Sequence, residues 1–209
     1  MVRNKVGDKM LVVGLTGNIG CGKSSLSELL MSKNIDVIDA DIISREIMYD
    51  KELLEIIFYE FGTEIKNNDG TLNRKKLGNI IFNDDDMLMK LNSITHPAIK
   101  RKINDRIIDI SNQGKNIVVI DAALLIEGKF LDLVDKLVVI TCNEEVQLNR
   151  VINRDNMTKE EALKRINSQM KQDEKIKYAD YIIDNSKDMN NLKDEFDKLF
   201  IYIKENWIE

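Results

Sequence analysis

Five short apolar runs punctuate the chain, at 11–16, 35–38, 117–121, 137–141 and 181–183, and the segments between them carry helical periodicity. Runs that stay apolar at successive positions suit strands buried on both faces, as in a parallel sheet. Strands alternating with helices predict an α/β fold, a five-stranded parallel sheet covered on both sides. In such sheets ligands sit beyond the carboxyl ends of the strands. The chemically suggestive residues fall there: Gly17 onward after the first run, Asp39 and Asp41 after the second, Asp121 after the third and Asp184-Asn185 after the fifth.

The spacing of the runs is uneven. Roughly eighty residues separate the second and third, with helical periodicity at Leu53, Leu54, Ile57, Phe58 and Phe61 and again at Ile103, Ile107 and Ile110, so a helical subdomain is expected over about 45–113. A second insertion, about 150–177, holds eight Lys or Arg against five Asp or Glu inside an acidic protein. Arg150 and Arg154 are four apart, as are Arg165 and Gln169, and each pair is expected to share a helix face. A solvated charged helix accounts for this segment; so does a mobile lid that lays cations over a transferring phosphoryl group. The tail from Met189 through Leu192, Phe196, Leu199, Phe200 and Ile203 reads as an amphipathic packing helix. No repeat or proline-rich linker interrupts the pattern, so 1–209 is expected to be a single domain, with its core at about 10–40, 115–150 and 178–209.

Composition narrows the class. The chain of 209 residues is 43% hydrophobic and 32% charged with a net charge of −5, which leaves no overall basic field for wrapping nucleic acid. The polar start MVRNKVGDKM, followed by an apolar run broken by glycines, gives neither a secretory nor a membrane-spanning segment, and the cytoplasm is the expected compartment. Cys21 and Cys142 lack the paired spacing of a metal site or a disulfide framework. His96 stands beside Pro97 as the one histidine beside the one proline, a pairing commoner as a structural hydrogen-bonder than as a base.

The densest chemical signal follows the first run. Residues 17–24, GNIGCGKS, complete the pattern G-x-x-x-x-G-K-[ST] between an apolar strand and a helix whose buried face would carry Leu26, Leu29 and Leu30. Glycines let successive backbone N–H groups curl around phosphate oxygens, Lys23 reaches the β- and γ-phosphates, and the Ser24 hydroxyl can ligate Mg²⁺. The dinucleotide pattern G-x-G-x-x-G fits no register of Gly14, Gly17, Gly20 and Gly22. Cys21 reads as a small residue at a variable loop position, although a helix N-terminus can render a thiol oxidisable.

An acceptor hydroxyl needs a carboxylate to orient it and take its proton. Asp39 and Asp41 have equal local claims to that role, and either can instead cap the helix beginning near Ile42. Asp121 ends its run as an acid that could hold a metal-bound water, or as a turn cap.

Taken in order, LTGNIGCGKSS (15–25), VIDADIISR (37–45), DGTLNRKKLGNIIF (69–82), ITHPAI (94–99), DAALLIEG (121–128), QLNRVINRD (147–155), RINSQM (165–170) and ADYIIDNS (179–186) resemble the dephospho-CoA kinase family over nearly the whole chain. The resemblance implies a three-layer αβα P-loop kinase core with an inserted helical substrate subdomain and a helical lid. It implies transfer of the γ-phosphoryl group of ATP, with Mg²⁺, to the ribose 3′-hydroxyl of dephospho-coenzyme A. By position, Asp41 matches the catalytic base, and Gly17, Asn18, Ile19, Gly20, Cys21, Gly22, Lys23, Ser24 and Ser25 match the ATP phosphate site. Arg45, Arg74 and His96 match the acceptor side, Arg150 and Arg154 the lid arginines, and Asn185 the approach to adenine. Ser24 and Asp121 are the candidate Mg²⁺ residues. Ala123 departs from the pattern, standing where the family has proline, which would loosen the turn that carries Glu127. The lid's closing stretch, Glu174 to Lys177, is poor in arginine, so Arg150 and Arg154 carry more weight there than Lys175. A membrane or nucleic-acid partner is not expected, and a monomer is favoured. The alternatives are a kinase with a different small acceptor and a nucleotide-binding switch; neither explains the Asp-Ala-Asp stretch and the His-Pro pair.

Overall fold

The computed structural model describes residues 10–82 and 84–208. The reading of the N-terminal stretch as neither leader nor anchor falls on residues outside these. In chain order the described residues form β1 (Leu11–Gly17), α1 (Lys23–Ser32), β2 (Asp36–Asp39), α2 (Ala40–Glu46), α3 (Lys51–Phe61), α4 (Arg74–Phe82) and α5 (Asp85–Asn112). They continue through β3 (Ile117–Asp121), β4 (Lys136–Thr141), α6 (Glu144–Asp155), α7 (Lys159–Asn167), α8 (Gln172–Ile176), β5 (Tyr181–Asp184) and α9 (Met189–Asn206).

The five strands pair in parallel in the order β2-β3-β1-β4-β5. β1 lies at the centre and is buried at every position, whereas the edge strand β5 buries Ile183 alone. That difference is why β1 reads as an unbroken apolar run and β5 as a weak one. The register sets Asp39 beside Asp121 and Gly17 beside Ile140, so the carboxyl ends of β2, β3, β1 and β4 line up. Leu26 and Leu30 of α1 and Leu192, Phe196, Leu199 and Ile203 of α9 share one apolar core with Val13, Leu15, Val119, Val138 and Ile140. The tail expected to pack does so.

Two compact units are present: one drawn from the segments up to Asp39 and from Arg106 onward, and one formed by Ala40–Asp105. The second is helical and is built on buried Leu53, Leu54, Ile57, Phe58 and Phe61 of α3 with Ile65 and Leu77. Asp50 caps α3 by accepting from Leu53 N at 3.0 Å. The division falls inside α5, which runs 28 residues with Pro97 in its interior. Proline there removes a backbone donor toward the carbonyl of Ser93, and Ser93 is exposed, so solvent can meet that carbonyl. Leu91, Thr95, Ile99, Ile103, Ile107 and Ser111, each four residues on, form a buried stripe that holds the helix through the proline.

The charged insertion is two helices and a shorter third. Asn156, at φ 51°, ends α6, and a reciprocal capping box between Thr158 and Glu161 starts α7. α7 ends at Asn167, so Gln169 lies beyond it and the expected face shared with Arg165 does not form. No helix of the described residues is long and apolar enough to cross a membrane.

Candidate active site

β1 delivers a buried chain into the loop. A Cβ at Gly17 would come 2.5 Å from the Ile140 carbonyl oxygen, so only glycine lets the first strand leave the sheet this close to β4. Gly20 (φ 83°) and Gly22 (φ 93°) adopt left-handed backbone on either side of Cys21. α1 then begins at Lys23 with no side chain capping its first turn. Its leading N–H groups are left for an anion at the mouth of the loop, where the helix dipole adds to their attraction.

The loop is braced from behind by residues far away in sequence. Asn185, 5% exposed, donates from Nδ2 to the Cys21 carbonyl at 2.8 Å. Gln147 donates from Nε2 to the Ile19 carbonyl at 2.8 Å, and Gln169 Oε1 accepts from Ile19 N at 2.8 Å. Asn18 donates from Nδ2 to the Met170 carbonyl at 2.8 Å. These contacts tie the loop to α6, to the segment after α7 and to the end of β5. Several backbone groups of a curled, glycine-rich segment thereby find partners without regular structure.

Lys23 is the loop's cation. Its ammonium pairs with Asp121 Oδ1 at the end of β3, while Asp121 Oδ2 accepts from Ser27 Oγ at 2.6 Å. Asp121 is buried, and a buried carboxylate needs this pairing. Ser24, one residue on, is exposed at the start of α1. Among the described residues no group of three or more His, Cys, Asp or Glu is placed to hold a metal ion alone. A hydroxyl and one carboxylate are hard oxygen donors, and so small a set suits a cation that draws its other ligands from water and phosphate, as Mg²⁺ does.

The two expected lid arginines do different things. Arg150 Nη1 donates to the Asn185 carbonyl at 2.8 Å and Nη2 to the Lys187 carbonyl at 2.9 Å, which fastens the loop after β5. Arg154 binds Asp155 through Nε and Nη2 at 2.8 and 2.9 Å, and Arg165 reaches the same carboxylate at 2.9 Å. The hydrogen bonds of Arg154, with the Arg165 charge in support, hold the Asp155 carboxyl below the usual carboxylate range.

The turn after β3 is closed although Ala123 replaces proline. Gly128 N donates to Leu124 O at 2.7 Å and Phe130 N to Leu125 O at 3.0 Å. Glu127 is fixed from the lid side: its Oε1 accepts from Met170 N at 3.1 Å and pairs with Lys175 Nζ at 3.0 Å. Lys175 is wholly buried and also donates to the Ala123 carbonyl at 2.7 Å. It is therefore a buried strut of the core and not a cation facing phosphate.

In the helical unit, Asp41 occupies the first turn of α2, half-buried, and Arg45 its last turn, exposed. Arg74, at the start of α4, donates from Nη2 to the Arg45 carbonyl at 3.4 Å and lies over the Tyr49 ring at 5.8 Å, so the two arginines share a patch. His96 is half-buried on α5.

A model of the dephospho-CoA kinase family matches residues 11–191. The chain belongs to the dephospho-CoA kinase family. A dephospho-CoA kinase of Listeria innocua is 44% identical over 179 residues, which is 85% of this chain and 89% of that one. Among solved structures, a dephospho-CoA kinase from Campylobacter jejuni superposes with a TM-score of 0.69 at 30% identity, covering 93% of this chain and 97% of that one. The TT1252 protein of Thermus thermophilus gives a TM-score of 0.82 at 26% identity, covering 94% and 99%. A P-loop α/β kinase fold is thus the architecture of this chain, its parallel sheet as the apolar runs predict and its kinase core as the resemblance implies.

Sequence reasoning gave no role to Gln147 and Ser27, and it named Gln169, Glu127 and Lys175 without the bracing contacts they make. Gln147 and Gln169 lie inside stretches that resemble the family, but their partners are backbone groups 128 and 150 residues away. Lys175 lies in a charged run with nothing local to mark it.

Proposed function

We infer that the protein phosphorylates dephospho-coenzyme A with ATP, moving the γ-phosphoryl group to the ribose 3′-hydroxyl and releasing coenzyme A and ADP in the final step of coenzyme A synthesis. What carries the reading is the family match over residues 11–191, and the Lys23–Asp121 pair beside the glycine-rich loop supports it. In this reading the backbone of Gly17 to Ser25 takes the phosphates of ATP, Lys23 exchanges Asp121 for β- and γ-phosphate oxygens, and Asn185 borders the adenine. Phosphoryl transfer asks for positioning and charge neutralisation more than covalent chemistry. We assign the proton-accepting role to Asp41, and acceptor binding to Arg45, Arg74 and His96. Arg154 is the lid cation that neutralises the transferring group, and Arg150 acts by holding the loop of Asn185. Mg²⁺ would be held by Ser24, with Asp121 fixing a bound water, and it would neutralise charge across the β- and γ-phosphates. Two unbonded thiols 3.1 Å apart suit a reducing compartment, and we place the enzyme in the cytoplasm as a monomer.

A coupled ADP-release assay with Mg²⁺-ATP tests this, comparing dephospho-coenzyme A with adenosine, AMP, shikimate and pantothenate, and weighing the product. Turnover confined to dephospho-coenzyme A, with one phosphate added at the 3′-oxygen, is the expected result. Turnover only with another acceptor would overturn the substrate assignment.

A further inference from the structure

The phosphate loop carries a side chain that phosphoryl transfer has no use for. A loop of this kind meets phosphate with backbone amides, and the Cys21 thiol is turned inward and fully buried. Its sulfur lies 3.1 Å from that of Cys142, and both thiols are free. The two residues are 121 positions apart. The sheet brings them together: Gly17 pairs with Ile140, and each cysteine follows shortly after its strand. Gln172 touches both, its Oε1 accepting from Cys21 Sγ at 3.3 Å and Cys142 N at 2.9 Å, and its Nε2 donating to the Cys142 carbonyl at 3.0 Å.

The thiols are not equivalent. The contact with Cys21, supported by the Arg150 charge, holds the Cys142 thiol below its ordinary value, whereas the same contact and burial push that of Cys21 up. Cys142 is the one to react first, because the thiolate is the nucleophile. As a residue Cys142 keeps 7% of its surface and Cys21 none, so Cys142 is the nearer of the two to solvent, and a small oxidant suits it better than a bulky disulfide.

We propose that Cys21 and Cys142 form a redox-responsive pair, converted by hydrogen peroxide into an intramolecular disulfide that clasps the phosphate loop to the end of β4 and reversibly lowers ATP turnover. The Cys142 thiolate attacks one peroxide oxygen; the O–O bond breaks, hydroxide leaves and takes a proton to become water, and Cys142 becomes a sulfenic acid. The Cys21 sulfur then attacks the Cys142 sulfur, its proton leaves with the displaced hydroxyl as a second water, and the S–S bond forms. Two thiols and one peroxide thus give one disulfide and two waters, and a dithiol reductant reverses the change.

A disulfide holds its sulfurs at about 2 Å, so they must close by about 1 Å and Cys21 gives up its S–H donor to Gln172. Gly20 and Gly22, the conformationally free residues flanking Cys21, absorb the shift. That redirects the amides on which ATP binding depends. The functional consequence rests on the ATP-loop reading above; the cross-link does not.

The experiment treats the full chain with hydrogen peroxide, blocks the remaining thiols by alkylation and weighs the proteolytic peptides, alongside ATP kinetics before and after. The expected result is a Cys21–Cys142 peptide pair lighter by two hydrogens, with KM for ATP raised at least about fivefold and restored by dithiothreitol. Cys142→Ser should keep the reduced enzyme's turnover, form no cross-link and keep its ATP affinity in peroxide. Separate single-thiol adducts without the cross-link would overturn the proposal, as would a cross-link that leaves ATP kinetics unchanged or an equal loss in Cys142→Ser. Because the cross-link is read by mass, it stands or falls independently of whether dephospho-coenzyme A is the acceptor.

Discussion

The phosphate loop and the charged insertion both carry cations paired with an aspartate, but they hold them differently. Lys23 is half-buried and bound to a buried Asp121 that Ser27 also engages, with the surrounding backbone pinned by Gln147, Gln169 and Asn185. Arg154 and Arg165 share Asp155 on an exposed helix pair, their side chains 57% and 52% exposed. Exposed ion pairs are worth about 0–1 kcal/mol, so the lid can change partners at little cost, while the loop sits in a network that resists rearrangement. One site is pre-organised and the other exchangeable, the division of labour expected when a fixed cradle is completed by closure.

The sharpest way to break this contrast is at the fixed end. Lys23→Ala should lower kcat by about two orders of magnitude or more, since on the proposed reading it removes a principal neutraliser of the transferring phosphoryl group. Turnover within about tenfold of the wild type in a steady-state assay would mean that the pinned loop is not the transfer site. Asp41→Asn should cost about as much if Asp41 takes the acceptor proton. Near-normal turnover would move that role to Asp39, which ends β2 opposite Asp121.

Next comes the strut. Lys175→Met strips Glu127 of its buried partner, and losing one member of a buried pair costs about 3 kcal/mol, somewhat less here because Glu127 keeps 23% of its side-chain surface. Tm should fall by roughly 5–10 °C in a thermal scan at constant protein concentration. If the melting point holds, the Glu127–Lys175 contact is not structural, and the notion of a rigid base under the loop fails with it.

How the two regions read from the sequence follows the same contrast. The sheet and the loop are legible because their signals are local: β1 is apolar at successive positions since both its faces are covered, and GNIGCGKS needs its glycines within eight residues. The order of the strands is not legible, because the connecting insertions do not encode which strand lies beside which. The bracing glutamines escape for a related reason. Gln147 and Gln169 bond to backbone atoms that every residue has, so their partners leave no trace in the sequence. Lys175 has the composition of a surface residue and the position of a core one. Arg150 and Arg154 are paired by spacing and by the resemblance; they do lie one turn apart on α6, but one faces the carbonyls after β5 and the other its own neighbour.

At the exchangeable end effects should be smaller and differently distributed. Arg154→Ala should lower kcat by about tenfold while changing ATP affinity less, because on the proposed lid reading its phosphate contact forms only on closure. An equal loss in affinity with kcat intact would make it a ground-state ligand and erase the distinction between the two regions.

The smallest effect is the most diagnostic. On the proposed reading Asp155 competes with the triphosphate for the Arg154 guanidinium, so Asp155→Asn should free it and lower KM for ATP by about two- to threefold, the scale of an exposed pair. The direction separates a competitor from a support. If Asp155 served to orient the arginines for catalysis, its removal would raise KM or depress kcat. The carboxyl is held below the usual range by Arg154, so its contribution is complete above the ordinary carboxylate pKa and is lost as pH falls through the lowered value. The KM ratio between variant and wild type should therefore be flat from about pH 6 to 9, where Asp155 stays charged throughout. A ratio that changes across that window would point to a titrating group other than Asp155, and the lid arginines would then have to be treated as part of the fixed network they contrast with here.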